Sequence, residues 1–529
     1  MSRPVGYRIS STKLVYCPRQ LQWSQRLIYL KHPFRRYTSS KSPVALPVLA
    51  PLPPTLKQKA AEVVYSDLPS GTTVTVNGWI RTIRKHKKYA FVNILDGSHD
   101  KVLQLVFNDP ERVNDLRVGV SLTVTGTIQR RQIPADPYEI LVESYNVLGS
   151  VPEDEPYPLQ NKYLSQDYLR RELPTMRFRS LSSGVTMRFR SRAVSELGRY
   201  FDENEFIQTH PPLITSSDCE GAGEVFTVVS ESSETPFFGK QGYLTVSTQL
   251  HLEALMMGLS RVWTLAPAFR AEKSITSRHL SEFWMLEAEV AFADRLEHIM
   301  TLVEGLLRTA LTRLKESGEL ETVLSVKAYL ENRKPQDGHG EDKDQEITRA
   351  QVLQRWEGML QNAPWMRITY KHAVEVLKQA EKEGKAKFES SAEYGDNLKS
   401  EHEKWLASQY AHGPIFVTQY PSQLKPFYML PTPGSCGETV ECFDLLVPDL
   451  GELVGGSLRE FDYNRLKTSI ERAGMDTGDL EWYADLRKWG SVPHGGFGMG
   501  FERLICYLVG IYNIRDVIAF PRWVDHCVC

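Results

Sequence analysis

Apolar and polar positions alternate with different periods along this chain, and the changes of period divide it. From about residue 61 to 150 the apolar runs are short and β-like: Thr73–Ile80, Ala90–Leu95, Val102–Phe107, Leu122–Ile128 and Glu139–Leu148. Turn signals such as Asp96-Gly97 and Asn108-Asp109-Pro110 separate them, which predicts a small closed barrel of five strands. Helical spacing takes over at Thr186–Glu203 and again over 296–316, where apolar residues recur every three to four positions. Phe206–Ile214 reads as a strand entered through proline, 331–346 as an almost wholly polar insertion loop, and 378–404 as a charged helix lying on the surface. Prolines 43, 47, 51, 53 and 54 predict an extended linker over 43–60, and the Pro-rich, then basic segment 151–180 a hinge. A second, larger domain would occupy 181–529.

The most informative alternation is Phe283–Phe292. Phe283, Met285, Glu287, Glu289 and Ala291 fall on one face of a strand, Trp284, Leu286, Ala288, Val290 and Phe292 on the other. The second face is uniformly apolar and reads as core. The first sets two carboxylates beside an aromatic ring, a costly arrangement unless partners or a ligand satisfy the charges. Upstream, Arg261–Arg270 ends in an arginine, and Arg278-His279 closes the polar loop between the two runs. Two antiparallel strands joined by such a loop would make a polyphosphate cradle with a ring to stack on a base; an edge hairpin with solvated charges is the plain alternative.

A second constellation favours the cradle. Residues 494–503 read His-Gly-Gly-Phe-Gly-Met-Gly-Phe-Glu-Arg, with Leu504, Ile505 and Leu508 following at helical spacing. Four glycines in six positions allow a ligand close to the backbone, and Arg503, in the first turn of the helix, can point back over them. The chain contains no Gly-x-x-x-x-Gly-Lys and no Gly-x-Gly-x-x-Gly, so P-loop and dinucleotide-fold chemistry are excluded.

Composition adds three points. With 41% apolar and 24% charged residues over 529 positions, the chain has room for two or three domains, and no apolar run is long enough to span a bilayer. Its seven cysteines show no metal-ligand spacing, so a reduced intracellular protein is expected. Net charge is only −2, but eleven of the 63 Lys and Arg precede the first acidic residue, Glu62, leaving 52 against 65 acidic residues in the remainder. Residues 1–42, basic and rich in Ser and Tyr, match a mitochondrial transit peptide; a nucleic-acid-binding arm or a variable tail are the alternatives. In a chain otherwise so acidic, the basic and aromatic stretch Gly78–Phe91 between the first two barrel strands is informative, because cations for phosphates and rings for unpaired bases are what single-strand readers use.

Together, Phe-Arg-x-Glu at 269–272 and Gly-x-Gly-x-Glu-Arg at 498–503 resemble motifs 2 and 3 of the class II aminoacyl-tRNA synthetases, and Arg188 through Pro212 is similar to the motif 1 helix, strand and proline. The resemblance covers residues 62–529, and a barrel of the OB type ahead of the core marks subclass IIb, the aspartyl, asparaginyl and lysyl enzymes. It implies an α+β fold, an antiparallel sheet flanked by helices, and a homodimer joined through motif 1 with Arg188 and Pro212. It implies ATP as substrate: Arg270 on the α-phosphate, Phe283 stacked on adenine, Glu272 at the adenine edge, and Arg278, His279 and Arg503 on the phosphates and the far side of the base. Asp444 and Glu452 would hold Mg²⁺; Asp449 is a weaker candidate, because the spacing here is one residue longer than in many aspartyl enzymes.

Within the subclass three features point to asparagine and tRNA(Asn). Asp218–Glu224 with Phe226 resembles the asparaginyl signature after motif 1. Leu252 stands where aspartyl enzymes place a lysine, and Glu287 where they have Asp. Arg459 would donate to the amide oxygen, Glu287 would accept from its NH₂, and Gln249 with Glu220 or Glu224 would hold the α-amino end. In the barrel, Arg84, Phe91 and Gln104 match anticodon contacts. Lys273 departs from the small polar residue expected there. The rival readings are an aspartyl enzyme of relaxed specificity, an asparagine synthetase built on this core, and an inactive RNA-binding paralogue; the last typically loses one of the motif arginines, both of which are present here.

Overall fold

The protein is described by a computed structural model over residues 60–529, apart from 66–67, 131–137, 160–163, 217–224, 232–234, 332–346, 361–363 and 476–477. The transit-peptide and linker segments, the insertion 331–346 beyond its first residue, and Glu220 and Glu224 therefore lie outside the described residues.

Strands Thr73–Lys85, Ala90–Leu95, Leu103–Phe107, Ser121–Arg130 and Tyr138–Gly149 close into a barrel in which the first pairs with the second and fourth, and the third runs parallel to the fifth. Alternate residues, among them Val74, Val76, Ile80, Val92, Ile94, Leu105, Leu122 and Val124, fill its interior. One expectation changes here. Most of the basic stretch after Gly78 continues the first strand to Lys85, leaving only His86–Tyr89 as the turn. A bulge between Ile80 and Thr82 increases the local twist.

The larger region is an eight-stranded, mostly antiparallel sheet in the order 366–369, 415–418, 442–447, 451–458, 494–500, 282–291, 261–269, 207–208. Helices Leu181–Glu203 and Leu296–Glu316 cover one face. In the second, Leu296, Ile299, Met300, Val303, Leu306, Leu307, Ala310, Leu311 and Leu314 form one buried stripe against the sheet residues Leu286, Ala288 and Phe497. The apolar side of Phe283–Phe292 thus packs as its alternation predicts, except at its end. Phe292 leaves the strand with a left-handed backbone (φ 61°) and is 71% exposed.

Two other readings are corrected. Only Ile207–Gln208 and Ile214–Thr215 of 206–215 are strand, because Pro211 and Pro212 have no N–H to give a ladder. The stretch 378–404 is not one helix: the helix Tyr370–Lys382 stops before Gly384 (φ +68°), and a separate turn, Ser400–Trp405, runs into a π-helical segment, Leu406–Tyr410. Within 151–180, the segment expected to be a hinge, Arg171 and Arg179 are exposed but two other basic side chains pack inward. Arg170 and Arg177 are buried, the first on Asp516 at 2.5 Å, the second donating to the carbonyls of Arg515, Ile518 and Ala519.

Candidate active site

The strand Glu282–Ala291 turns Phe283, Met285, Glu287 and Glu289 to one side, and its register sets them against glycines: Met285 faces Gly500, Glu287 faces Gly498 and Glu289 faces Gly496. On the next strand Gly498 meets Gly455 and Gly496 meets Ser457. A Cβ on Gly498 would come within 3.6 Å of the Met285 sulfur and 3.8 Å of the Glu287 Cγ, so the missing side chains keep this face open. At Gly496 a Cβ would collide with the Glu289 carboxylate and the Ala288 carbonyl.

At one end of this face lies a cleft of about 180 Å³, lined by Arg270, Glu272, Arg278, His279, Phe283, Met285, Glu452, Gly498, Gly500 and Arg503, among others. All six residues predicted to contact ATP are therefore brought together. The Arg270 guanidinium lies 5.6 Å from the Phe283 ring centroid, within cation–π range. Arg503 is held by the Glu452 carbonyl at 3.1 Å, reaching across from the helix Phe501–Val509. Glu272 pairs with His279 at 3.2 Å, and the other ring nitrogen of His279 meets the Thr276 hydroxyl at 2.6 Å. Arg278 reaches Ser400 at 2.5 Å. Beneath the cleft Glu502 accepts from the Trp284 amide at 2.9 Å and forms an ion pair with Arg190 at 2.6 Å, tying the long helix Leu181–Glu203 to both halves of the cradle. Burial raises the Glu502 carboxyl above its ordinary range.

Asp444 and Glu452 stand beside this cleft on neighbouring strands. The Glu452 Oε1 and Asp444 Oδ1 lie 3.4 and 3.8 Å from where a Cβ of Gly455 would be, so an open position separates the two carboxylates. Lys425 meets both Asp444 oxygens, at 2.8 and 2.7 Å. Burial and the charges of Glu452 and Asp444 push a third carboxyl, Glu403, up to about 7; it accepts from the Glu452 amide at 3.2 Å. Hard oxygen donors flanking a gap fit Mg²⁺, which characteristically takes one or two carboxylates plus substrate phosphates. Among the described residues no three His, Cys, Asp or Glu side chains form a metal cluster by themselves. Asp449, the weaker candidate, is turned away, paired with Arg355 at 3.1 Å on a left-handed backbone (φ 63°).

At the other end of the face the residues expected to hold the amino acid have divided roles. Arg459 donates to Glu289 through Nε (3.2 Å) and Nη2 (2.5 Å), and to the Ser457 hydroxyl through Nη1 (2.5 Å). Glu287 accepts from the Ser247 hydroxyl at 2.5 Å and from the amide and hydroxyl of Thr248, so it also fixes the start of the helix Gln249–Leu259. Gln249 gives its amide to Glu253 at 3.0 Å. Leu252 is fully buried, in an apolar cluster with Met256 and Val262. Its neighbour Glu253 carries the polar contacts instead. Sequence reading missed Glu253, Tyr483 and Arg487; the available signal was a glutamate one turn from Gln249 and an arginine seven residues before the His-Gly-Gly run.

On the barrel, Arg84 sits opposite Phe91 and Asn93 opposite Gln104, all facing outward while Ala90, Val92 and Ile94 face the core. Arg84 is exposed, Phe91 half-buried edge-on to His86 (5.6 Å), and Gln104 donates to Glu139 at 2.8 Å. Arg188 donates to the Gly97 carbonyl of the barrel at 3.1 Å, and Pro212 is exposed.

Comparison with known proteins agrees with this geometry. The family of class II tRNA synthetases (D, K and N) matches residues 166–524, and the OB-fold nucleic acid binding domain matches 74–148. The chain is 42% identical over 462 residues to the mitochondrial asparagine–tRNA ligase of Saccharomyces cerevisiae, covering 85% of this chain and 92% of that protein. It is 39% identical to the asparaginyl-tRNA synthetase of Mus musculus, covering 87% and 91%. Among solved structures, asparaginyl-tRNA synthetase from Pyrococcus horikoshii complexed with asparaginyl-adenylate aligns with a TM-score of 0.74 at 30% identity, over 89% of this chain and 99% of that one. A putative aspartyl-tRNA synthetase from Leishmania major Friedlin, 22% identical with a TM-score of 0.71, shares the fold. A cradle of two motif arginines on an antiparallel sheet behind an OB barrel thus places this chain in the class II tRNA synthetases (D, K and N). It is an aminoacyl-tRNA synthetase with an OB-fold anticodon-binding domain.

Proposed function

We propose that the chain is an asparagine–tRNA ligase of mitochondrial translation, forming asparaginyl-adenylate from asparagine and ATP and passing the asparaginyl group to the 3′ end of tRNA(Asn). The observation that carries this is the single sheet face with Phe283, Arg270 and Arg503 at one end and Arg459, Glu289 and Glu287 at the other. On this face the asparagine carboxylate attacks the α-phosphorus of ATP and pyrophosphate leaves; the 3′-terminal ribose hydroxyl of the tRNA then attacks the adenylate carbonyl and AMP leaves. Arg270 and Arg503 stabilise charge developing on the phosphoryl oxygens, and the fixed cleft supplies orientation. Asp444 and Glu452 would hold Mg²⁺, which supplies electrostatic stabilisation of the phosphates. Arg459 offers its remaining N–H groups to the side-chain amide oxygen. The α-amino end falls to Gln249, with Glu220 or Glu224. Arg84, Phe91 and Gln104 form the surface for the anticodon.

Residues 1–42 act as the import signal in this reading, supported by their basic composition and by the mitochondrial relatives. Pairing of two copies through the helix Leu181–Glu203 and the exposed Pro212 completes the active form. The deciding experiment is amino-acid-dependent pyrophosphate exchange with asparagine, aspartate and lysine. Exchange with asparagine alone is expected; equal exchange with aspartate would identify the relaxed aspartyl enzyme instead. Removal of residues 1–42 should leave aminoacylation in vitro intact and abolish import.

A further inference from the structure

Behind the amino-acid end of the face lies a buried polar network centred on residues to which the two-step reaction gives no role. Glu253 is its hub. Its carboxylate accepts from Arg487 Nη2 at 2.5 Å, from the Tyr483 hydroxyl at 2.9 Å, from His494 Nε2 at 3.0 Å and from the Gln249 amide at 3.0 Å. Arg459 Nε comes within 3.9 Å of it. The Glu253, Arg487 and His494 side chains are entirely inaccessible to solvent. The other nitrogen of His494 faces the Val492 carbonyl at 2.7 Å.

Glu253, Glu287 and Glu289 share this space with Arg459, Arg487 and His494, drawn from the helix Gln249–Leu259, the strands Glu282–Ala291 and His494–Gly500, the turn after Asp485 and the residue after Leu458. The nearby Glu460 carboxylate is engaged outward, by Arg465 at 3.0 Å. Because Glu253 satisfies Arg487 and His494, Arg459 is left to Glu289 and Ser457, which take its Nε, Nη1 and Nη2 groups. One N–H on each terminal nitrogen of the guanidinium is left for an incoming side-chain oxygen, so the choice between amide and carboxylate falls to the charges around it. A side-chain carboxylate entering here would add negative charge to a water-poor space that already holds Glu253, Glu287 and Glu289, where an unpaired charge is strongly disfavoured.

We propose that Glu253 is a specificity-determining positioning residue, which engages Arg487 and His494 so that Arg459 presents itself to a side-chain amide and the pocket rejects a carboxylate. This rests on the asparagine reading above, and it moves the source of discrimination from Leu252, packed among apolar residues, to the residue beside it.

The test is Glu253→Gln in the full chain, which keeps size and shape but removes the charge. Pyrophosphate exchange is measured with asparagine and with aspartate, alongside the KM for ATP. The asparagine-to-aspartate ratio of kcat/KM should narrow by at least about tenfold, mostly through KM for the amino acid, because one uncompensated buried charge alters selectivity on that scale. The KM for ATP, which binds at the other end of the face, should stay within about twofold in the same assay. An unchanged ratio in a folded variant, checked by its melting temperature, overturns the proposal. Should Glu253→Gln not fold, Tyr483→Phe removes one donor to Glu253 while keeping every charge, and it should raise KM for asparagine about threefold with ATP unaffected; no change in that variant overturns the proposal as well. If the wild-type chain activates aspartate as well as asparagine, the functional reading itself has failed, which no result on the variants alone would produce.

Discussion

The barrel and the eight-stranded sheet handle polar groups in opposite ways. The barrel core is built of aliphatic and aromatic side chains, and the residues proposed to read the anticodon, Arg84, Phe91 and Gln104, stand on the outside where water satisfies whatever no RNA covers. The larger sheet buries its charges: Glu253, Glu287, Glu289, Arg459, Arg487 and Glu502 all have little or no contact with solvent, and each has partners at hydrogen-bond distance. An exposed stack or ion pair is worth little by itself but tolerates change, whereas a buried network is worth much to chemistry and is costly to break. Binding of a long flexible polymer suits the first arrangement, and reaction on one small substrate the second.

If this contrast is right, changes on the sheet should abolish chemistry without touching RNA affinity. Arg503→Ala is expected to slow adenylate formation by about 10²–10³-fold, as when one positioned donor to a developing charge is removed, while filter binding of the tRNA stays at wild-type strength. Loss of tRNA binding in that variant would break the separation.

Glycines sharpen the contrast further. Gly496→Ala should cost about 1–3 kcal/mol of stability in urea unfolding and raise the KM for asparagine, since the new Cβ is driven into the Glu289 carboxylate. Gly97 in the barrel has a left-handed backbone (φ +83°) but open space around it, so Gly97→Ala should cost only about 1 kcal/mol and leave adenylate formation alone.

Phe91→Ala reverses the direction of the test. Ring–base stacking is worth roughly 1–3 kcal/mol, so charging of tRNA should weaken about ten- to a hundredfold while pyrophosphate exchange remains intact. Equal losses in both assays would mean that Phe91 supports the barrel rather than the RNA.

The smallest effect concerns pH. Burial and the neighbouring Glu253 and Glu287 charges raise the Glu289 carboxyl to about 8 despite Arg459, and burial also raises Asp516. Folded groups of this kind keep protons that the unfolded chain releases near its ordinary glutamate range, so their contribution is complete below that range and is lost as the pH rises towards 8. Burial lowers His99 in the barrel, where the contribution has the other sign and is lost as the pH falls through the ordinary histidine range. Melting curves between pH 5 and about 8.5 should show a shallower alkaline decline for Glu289→Gln than for wild type, a difference of a few degrees.

How much of this was legible beforehand depends on how local the cause is. The barrel strands, the amphipathic helix 296–316 and the polar and apolar faces of Phe283–Ala291 follow from period alone, because a strand or helix that buries one side must repeat its apolar residues at its own period. The two arginine motifs could be read for a similar reason: glycines and a helix start are local demands, and the polyphosphate cradle needs Arg270, Phe283 and Arg503 whatever surrounds them. The ends of elements were harder. Phe292, Gly384 and the Pro211-Pro212 pair end or interrupt patterns that continue in composition, and what ends them is backbone conformation or a missing N–H.

What the amino-acid order by itself determined is therefore the sequence of elements, the glycine-lined face and the cations Arg270 and Arg503 proposed to meet the phosphates. Only the tertiary structure decided which buried charge answers which: that Glu253, not Leu252, meets Arg487 and His494, that Arg459 is committed to Glu289, and that Lys425 and Glu403 converge beside Asp444 and Glu452. Those partners are separated by as many as 241 residues. Pairing between them depends on desolvation and distance after the strands have closed, and no periodicity in the chain encodes either.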